Sequence, residues 1–371
     1  MENVFKSSKL FAVLVVGLFL APFVTQAQHY TQTNLVADLP GVAPVTDPNL
    51  VNPWGLTRSA TSPWWVSNNN SGTSTLYTGA GAIIPINGNG IVTVPPPKNA
   101  PTGTISTPTG IVFNSSADFV LPNGKPAAFI FVTEDGTISG WNGGAAAVLV
   151  VDNSNIPAGH GAVYKGATSA VWNGKRYLYV TNFRSGKVEV YDSTFKRVHI
   201  SEEDFDEDHI PRDFAPFNVQ NIGASLFVTY AKQDASKHDD VAGEGLGFVE
   251  IFEPSGRHIA HLEHGDWLNA PWGVVWTPRD FGTFSNTILV GNFGSGWVAA
   301  FNGFTYKFIG FVKNPDDSIL AIDGLWSLTF GNGASAGPST TLYFSAGPQG
   351  ETHGLFGTLT PVAAEQDGSV E

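Results

Sequence analysis

Residues 270–303 read APWGVVWTPRDFGTFSNTILVGNFGSGWVAAFNG. A Pro-x-Gly turn leads into alternating apolar residues, and a polar connector follows. Residues 288–290 then form a second β-rich run, and Asn292-Phe293-Gly294-Ser295-Gly296 turns the chain into a third run at 297–301. This is an antiparallel β-meander. A unit of this size cannot bury its own faces and is stable only with copies stacked beside it, so the rest of the chain must supply them.

Five further copies are present. NPWGLT at Asn52 is followed by WWVSNNNSGTSTLY, TPTGIVF at Thr107 by FIFVTEDGTISGW, and GATSAVW at Gly166 by YLYVTNFRSGKVEVYD. FAPFNVQ at Phe214 leads to LFVTYAK and, after an insertion, GFVEIF; GLWSLTF at Gly324 leads to LYFSAGPQGETHGLFGTL. Anchoring the lead-in turns on Pro53, Pro108, Ala167, Pro216, Pro271 and Leu325 gives steps of 55, 59, 49, 55 and 54 residues, by subtraction. The expected fold is all-β: one six-bladed β-propeller of four-stranded antiparallel blades spanning residues 28–361. Residues 35–39 are expected to close the ring by pairing with 355–359, which would remove the free edges of the sheet.

The amino terminus has the plan of a secretory signal peptide. Lys6 and Lys9 precede an apolar run at 10–24, and Thr25-Gln26-Ala27 offers small residues for cleavage after Ala27. The run is short for a transmembrane span, so the expectation is an exported protein, periplasmic or extracellular, with no stable membrane span after signal removal. Residues 362–371 read as a disordered polar tail.

Composition agrees with this picture. The chain has 42 Gly, 24 Pro and 12% aromatic residues but only 14% charged residues, which suits many short strands joined by tight turns. It has no cysteine, so disulfides, thiolate metal ligands and a cysteine nucleophile are excluded. The net charge is −13 and no basic cluster is present, which argues against nucleic acid as a partner. There is no GxSxG elbow and no phosphate-cradling glycine loop between a strand and a helix.

In order along the chain, APWG, SNNNSGTSTLY, TEDGTISGW, the DDVAGEGLG insertion, AIDGLW and GPQGETHGLFG resemble a family of secreted bacterial and fungal six-bladed propellers without an assigned activity. Some bacterial members of that family end in a sorting tail with a hydrophobic segment and a basic end, a feature not read in this sequence. More distantly the repeats resemble NHL and gluconolactonase-like propellers. The resemblance covers residues 35–360 and implies the ring, without implying a reaction.

In a propeller the lead-in turns and the ends of the second strands converge at one mouth of the channel. The lead-in positions are Trp54, Thr109, Thr168, Phe217, Trp272 and Trp326; the second-strand ends are Asn68, Glu134, Asn182, Tyr230, Asn292 and Ala346. Two readings of the aromatic residues are open, packing between blades or a stacking platform for a sugar or aryl ligand. Asn68, Asn182 and Asn292 serve either as turn residues or as ligand-facing groups. Glu134 interrupts this pattern with a carboxylate, which makes it a functional candidate. Blade four carries an insertion at 231–245 with Asp234, His238, Asp239, Asp240 and Glu244, and blade six carries Glu351-Thr352-His353 in the corresponding connection. His160, His209 and His264 fall in connections between blades.

Glu134, Asp239, Asp240, Glu351 and His353 are therefore the candidate set for Ca²⁺ or Zn²⁺, with Glu134, Asp240 and His353 as candidate acid–base residues. Two functions follow. One is a binding module for a glycan, a small ligand or a protein at the channel mouth. The other is a metal-dependent hydrolase of the lactonase or esterase type at the same place.

Overall fold

The computed structural model describes residues 29–362, apart from 87, 89, 155–159, 201–204 and 206–208. The leader read at 1–27 and all but Val362 of the tail read at 362–371 lie outside the described residues.

Blade five shows how the repeat folds. Pro271–Trp276, Thr287–Asn292, Val298–Asn302 and Phe308–Phe311 pair antiparallel, each with the next. Thr287–Asn292 is buried along its whole length, whereas Phe308–Phe311 is partly exposed. An inner strand is sandwiched between two neighbouring blades and needs apolar or hydrogen-bonded residues on both faces, while the outermost strand keeps one edge in water. Six sheets follow this plan, and together they form the six-bladed propeller expected.

Ring closure mixes the two ends of the chain. Tyr30–Ala37 is the outermost full strand of blade six, antiparallel to Leu355–Pro361, with Tyr30 opposite Pro361 and Ala37 opposite Leu355. The strand thus begins five residues before the expected start at Leu35 and stops short of Asp38 and Leu39. Tyr30 explains the shift. It is 1% exposed, donates its hydroxyl to the Phe281 carbonyl at 2.8 Å and packs on the Phe281 and Phe284 rings, so it locks blade six to blade five. The two-residue strand Val45–Thr46 adds a parallel fifth member at this edge.

Strand register corrects the alignment of blade three. The residue that precedes the register shift in each innermost strand faces a residue at or near the end of the second strand: Pro53 faces Asn68, Pro108 faces Thr133, Tyr164 faces Asn182, Pro216 faces Tyr230, Pro271 faces Asn292 and Leu325 faces Ala346. The blade-three anchor is Tyr164, three residues before Ala167. The steps become 55, 56, 52, 55 and 54 by subtraction, more regular than the sequence alignment gave.

A register shift follows the anchor in every blade and turns the next residue toward the axis. Those residues are Trp54, Thr109, Lys165, Phe217, Trp272 and Trp326. Trp54 and Trp326 stack at a centroid distance of 3.5 Å, and Phe217 and Trp272 meet both within 6.3 Å. Rings from blades one, four, five and six can touch in this way only on the axis. They plug the channel. Close approach of the innermost strands is needed as well: a Cβ on Gly273 would sit 2.6 Å from the Trp326 carbonyl oxygen, and one on Gly166 would sit 2.1 Å from Asn218 Oδ1.

Candidate functional site

Where four blades place an aromatic ring on the axis, blade three places Lys165. Its side chain is 1% exposed, and it is the one Lys or Arg buried among the described residues. The ammonium lies 5.1 Å from the Trp54 ring centroid, 5.6 Å from that of Phe183 and 6.0 Å from that of Phe217, capping the plug through cation–π contacts. It donates to Glu134 Oε1 and lies 3.5 Å from Asp239 Oδ1.

Each carboxylate arrives by a different route. Glu134 follows the end of the second strand of blade two, level with Asn69, Phe183 and Phe293, whose backbone N–H groups bond their own lead-in loops as Glu134 does. The position aligned with Asn68 and Asn292 is Thr133, so Glu134 stands one residue beyond the place the sequence alignment assigned it. Asn69 Nδ2 donates to Glu134 Oε2 at 2.8 Å. Glu351 lies in the left-handed turn Gln349-Gly350-Glu351, with φ of 57°, 64° and 65°, and its Oε2 accepts from Asn52 Nδ2 at 2.7 Å. Two non-glycine residues in this region, one on each side of Gly350, are uncommon, and the strain is held at the mouth.

The blade-four insertion is folded by Asp234, whose Oδ1 accepts the backbone N–H of His238 at 2.8 Å and of Asp239 at 3.2 Å. That turn presents His238 and Asp239 side by side, Nδ1 to Oδ1 at 2.7 Å. Asp240 follows in a bridge to Gln233.

Crowding acids around one ammonium separates the titrations of Asp239 and Asp240. Burial pushes Asp240 up to about 7, and Glu351 and Asp239 add to the rise against the opposing pull of Lys165. The hydrogen bond from His238 holds Asp239 down at about 2, helped by Lys165. That same bond raises His238. Burial raises Asp135 and Glu351. For Lys165 burial disfavours the charge, but Glu134, Asp239 and Asp240 outweigh it, so the amine titrates above its ordinary value and stays an ammonium.

Beside this cluster a cleft of about 660 Å³ opens, lined by Glu134, Asp135, His238, Arg184, Asp152 and Lys98, whose backbone N–H bonds the Asp152 carboxylate at 2.8 Å.

The structure brings Glu134, Asp239, Asp240 and Glu351 together, as expected from the sequence. His353 does not join them: its Nδ1 pairs with Asp38 Oδ2 at 2.8 Å, and Asp38 Oδ1 accepts from Gly354 N–H, a clasp on the ring closure. His238 takes its place at the mouth. Trp54, Trp272 and Trp326 are 2%, 3% and 1% exposed and pack between blades as the axial plug, so they offer no stacking platform to solvent. Asn68 bonds Thr73 and Thr75, and Asn182 bonds Glu189. Asn292 accepts from the backbone of Asn269, and all three asparagines and Tyr230 are buried.

Lys165 and Arg184 are the residues that sequence reasoning missed. The signal for Lys165 was available: a strict period near 55 places blade three at Tyr164-Lys165-Gly166, a counterpart of Pro271-Trp272-Gly273.

Glu134, His238 and Asp239 each offer a ligand atom within 4.8 Å of the other two. The Ca²⁺ or Zn²⁺ site expected from the sequence nevertheless does not fit, because the Lys165 ammonium already bonds Glu134 and approaches Asp239. A divalent ion there would face a fixed positive charge in a region of low dielectric.

No family model matches the chain. It is 31% identical over 304 residues to the uncharacterised protein R648 of Acanthamoeba polyphaga mimivirus, covering 79% of this chain and 72% of that protein. A second uncharacterised protein of the same virus, L690, is 29% identical over 327 residues, covering 84% of this chain and 81% of its own length. Among solved structures, a protein of unknown function from Bacteroides thetaiotaomicron superposes with a TM-score of 0.50 at 8% identity, covering 83% of this chain and 69% of that one. A streptogramin B lyase superposes at 0.48 and 13% identity, covering 90% and 97%. A gluconolactonase from Xanthomonas campestris superposes at 0.37 and 12% identity, covering 69% and 86%. The likeness to these structures is one of fold. By sequence, the chain belongs to the same family as the uncharacterised mimivirus protein R648.

Proposed function

We propose that the channel mouth binds a small polar ligand, and that the chain acts as an exported propeller of the secreted kind its motifs resemble. One observation carries the reading: carboxylates from blades two and four converge on a buried ammonium that stands where four other blades present a ring. A buried ion cluster is a weak source of stability, since desolvation offsets its Coulombic gain, and an aromatic residue would complete the plug without it. Such a departure from the repeat marks a functional position. The cleft carries both signs of charge, with Arg184 and Lys98 as well as Glu134 and Asp152 in its lining, so it suits a compact ligand with several hydroxyl or carboxyl groups, such as a sugar acid. The buried tryptophans offer it no stacking face.

The test is a thermal-shift screen of sugar acids, lactones and amino acids against the mature chain, repeated with Glu134→Gln and Arg184→Ala after checking their fold by circular dichroism. A ligand that stabilises the parent and loses its effect in both variants supports the reading. Ligands whose stabilisation survives both substitutions would refute it.

A second reading, lactone or ester hydrolysis, is favoured by the contrast between Asp240 near 7 and Asp239 near 2. Asp240 would take a proton from water as its oxygen adds to the carbonyl, and protonated His238 would give one to the leaving oxygen. No metal takes part in this scheme. Turnover of any lactone unchanged in Asp240→Asn would dismiss it.

A further inference from the structure

Away from the axis, blade four gathers three histidines around one carboxylate. Glu250 lies on the third strand, Gly247–Phe252, with its side chain 1% exposed. It sits opposite His261 in the ladder with the outermost strand, His258–His261. His209 reaches in from the connection between blades three and four, with Nε2 3.4 Å from Glu250 Oε1, and His258 Nε2 lies 2.8 Å from Glu250 Oε2. The His209 ring centroid is 5.1 Å from that of His261 and 6.0 Å from that of His258.

We infer that His209, Glu250 and His261 form a binding site for a divalent transition-metal ion of the zinc class, with His258 orienting the carboxylate. The three ligands each present one atom within 4.8 Å of the other two. Around an ion at bond lengths of about 2.0–2.2 Å, tetrahedral ligand atoms stand roughly 3.4 Å apart, so the set must contract. His209 and His261 are exposed and able to rotate inward, while buried Glu250 is the fixed point. Two imidazoles and one carboxylate, without thiolate, suit Zn²⁺, Ni²⁺ or Cu²⁺ and leave a position for water; Ca²⁺ and Mg²⁺ prefer all-oxygen sets. The bond from His258 to the second carboxylate oxygen is the outer partner that such a ligand needs to keep its orientation. Bound metal would tie the connection at residue 209 to the outermost strand, clamping blade four to the segment that enters it. This site is independent of the channel mouth: it lies at the outer edge of a blade, and Lys165 takes no part in it.

The test uses the mature chain without a histidine tag, stripped with chelator and titrated with Zn²⁺ and, for its visible absorption, with Co²⁺. One saturable equivalent, a visible cobalt band and a rise in melting temperature are expected. His209→Ala/His261→Ala abolishes all three, and Glu134→Gln leaves them unchanged. The single exchange His209→Gln, at an exposed side chain, repeats the loss should the double variant fold poorly. His258→Ala weakens binding by about 10–100-fold while the cobalt band persists at saturation. Absence of a saturable equivalent in the parent, its survival in His209→Ala/His261→Ala, or its loss in Glu134→Gln would overturn the inference. Unchanged affinity in His258→Ala would remove that residue's positioning role.

Discussion

The ammonium of Lys165 lies 5.1 Å from the centroid of the Trp54 ring and donates to Glu134, so the apolar plug of the channel ends on a buried ion pair. With side-chain exposures of 1% and 10%, the pair is a unit: neither partner can be solvated if the other is removed. Lys165→Met keeps the volume but strands the Glu134 charge, and should cost about 3–5 kcal/mol in urea unfolding. Adding Glu134→Gln to that variant should restore most of the loss. If the double variant is no more stable than Lys165→Met, the two residues are not coupled.

Asp240 gives the protein a pH signature. Its carboxyl is raised to about 7, so the folded state holds a proton that the unfolded chain releases near the ordinary carboxylate value. The stabilisation from this group is complete below about pH 4 and is lost as pH rises through 7. Asp240→Asn should therefore flatten the fall in melting temperature between pH 4 and 8 and raise stability at pH 8. Asp239, held at about 2, acts in the opposite sense, with stability present above about pH 4 and lost as pH falls toward 2. An unchanged profile in Asp240→Asn would show that its charge is not confined.

The axial rings are the largest packing element that joins distant blades. Trp326 stacks on Trp54 and Phe293, and its indole N–H donates to Asn52 Oδ1 at 3.0 Å. Trp326→Ala should cost about 3–5 kcal/mol by loss of packing and the cavity it leaves. Trp326→Ala and Trp326→Phe both remove the indole N–H and so free Asn52, which holds Glu351; ligand binding at the mouth should weaken in both, although Trp326→Phe keeps most of the packing. Unchanged binding in Trp326→Phe would separate the plug from the site.

Closure by Tyr30–Ala37 protects the edge of Leu355–Pro361. A chain starting at Asp38 should expose that edge and self-associate, visible as a rise in light scattering at micromolar concentration. Tyr30→Phe, which loses the bond to the Phe281 carbonyl and the one accepted from the Phe284 N–H, should stay monodisperse and lose about 1–3 kcal/mol.

The ring was legible because its evidence is local. Each blade repeats its lead-in turn and its order of strands, and a period near 55 survives considerable change of individual residues. Legibility failed where Tyr164-Lys165 replaced a Pro-aromatic pair: GATSAVW looked like the anchor because its small and apolar residues imitate an inner strand, and the axial lysine went unseen. Glu134 was found because a carboxylate interrupting a repeated asparagine is visible without coordinates, although the register gives the aligned position to Thr133. His353 was misplaced because its partner, Asp38, is 315 residues away in sequence.

Sequence by itself determined the number of blades, their order and the pairing of the two ends, because alternation, turn residues and period act over tens of residues. Only the tertiary structure decided what the mouth is made of. The register shift at the start of each blade selects one residue for the axis, and closing the ring brings Asn52 to Glu351, 299 residues apart. Whether a carboxylate there meets solvent, another acid or an ammonium depends on that closure, and so do its charge and its chemistry.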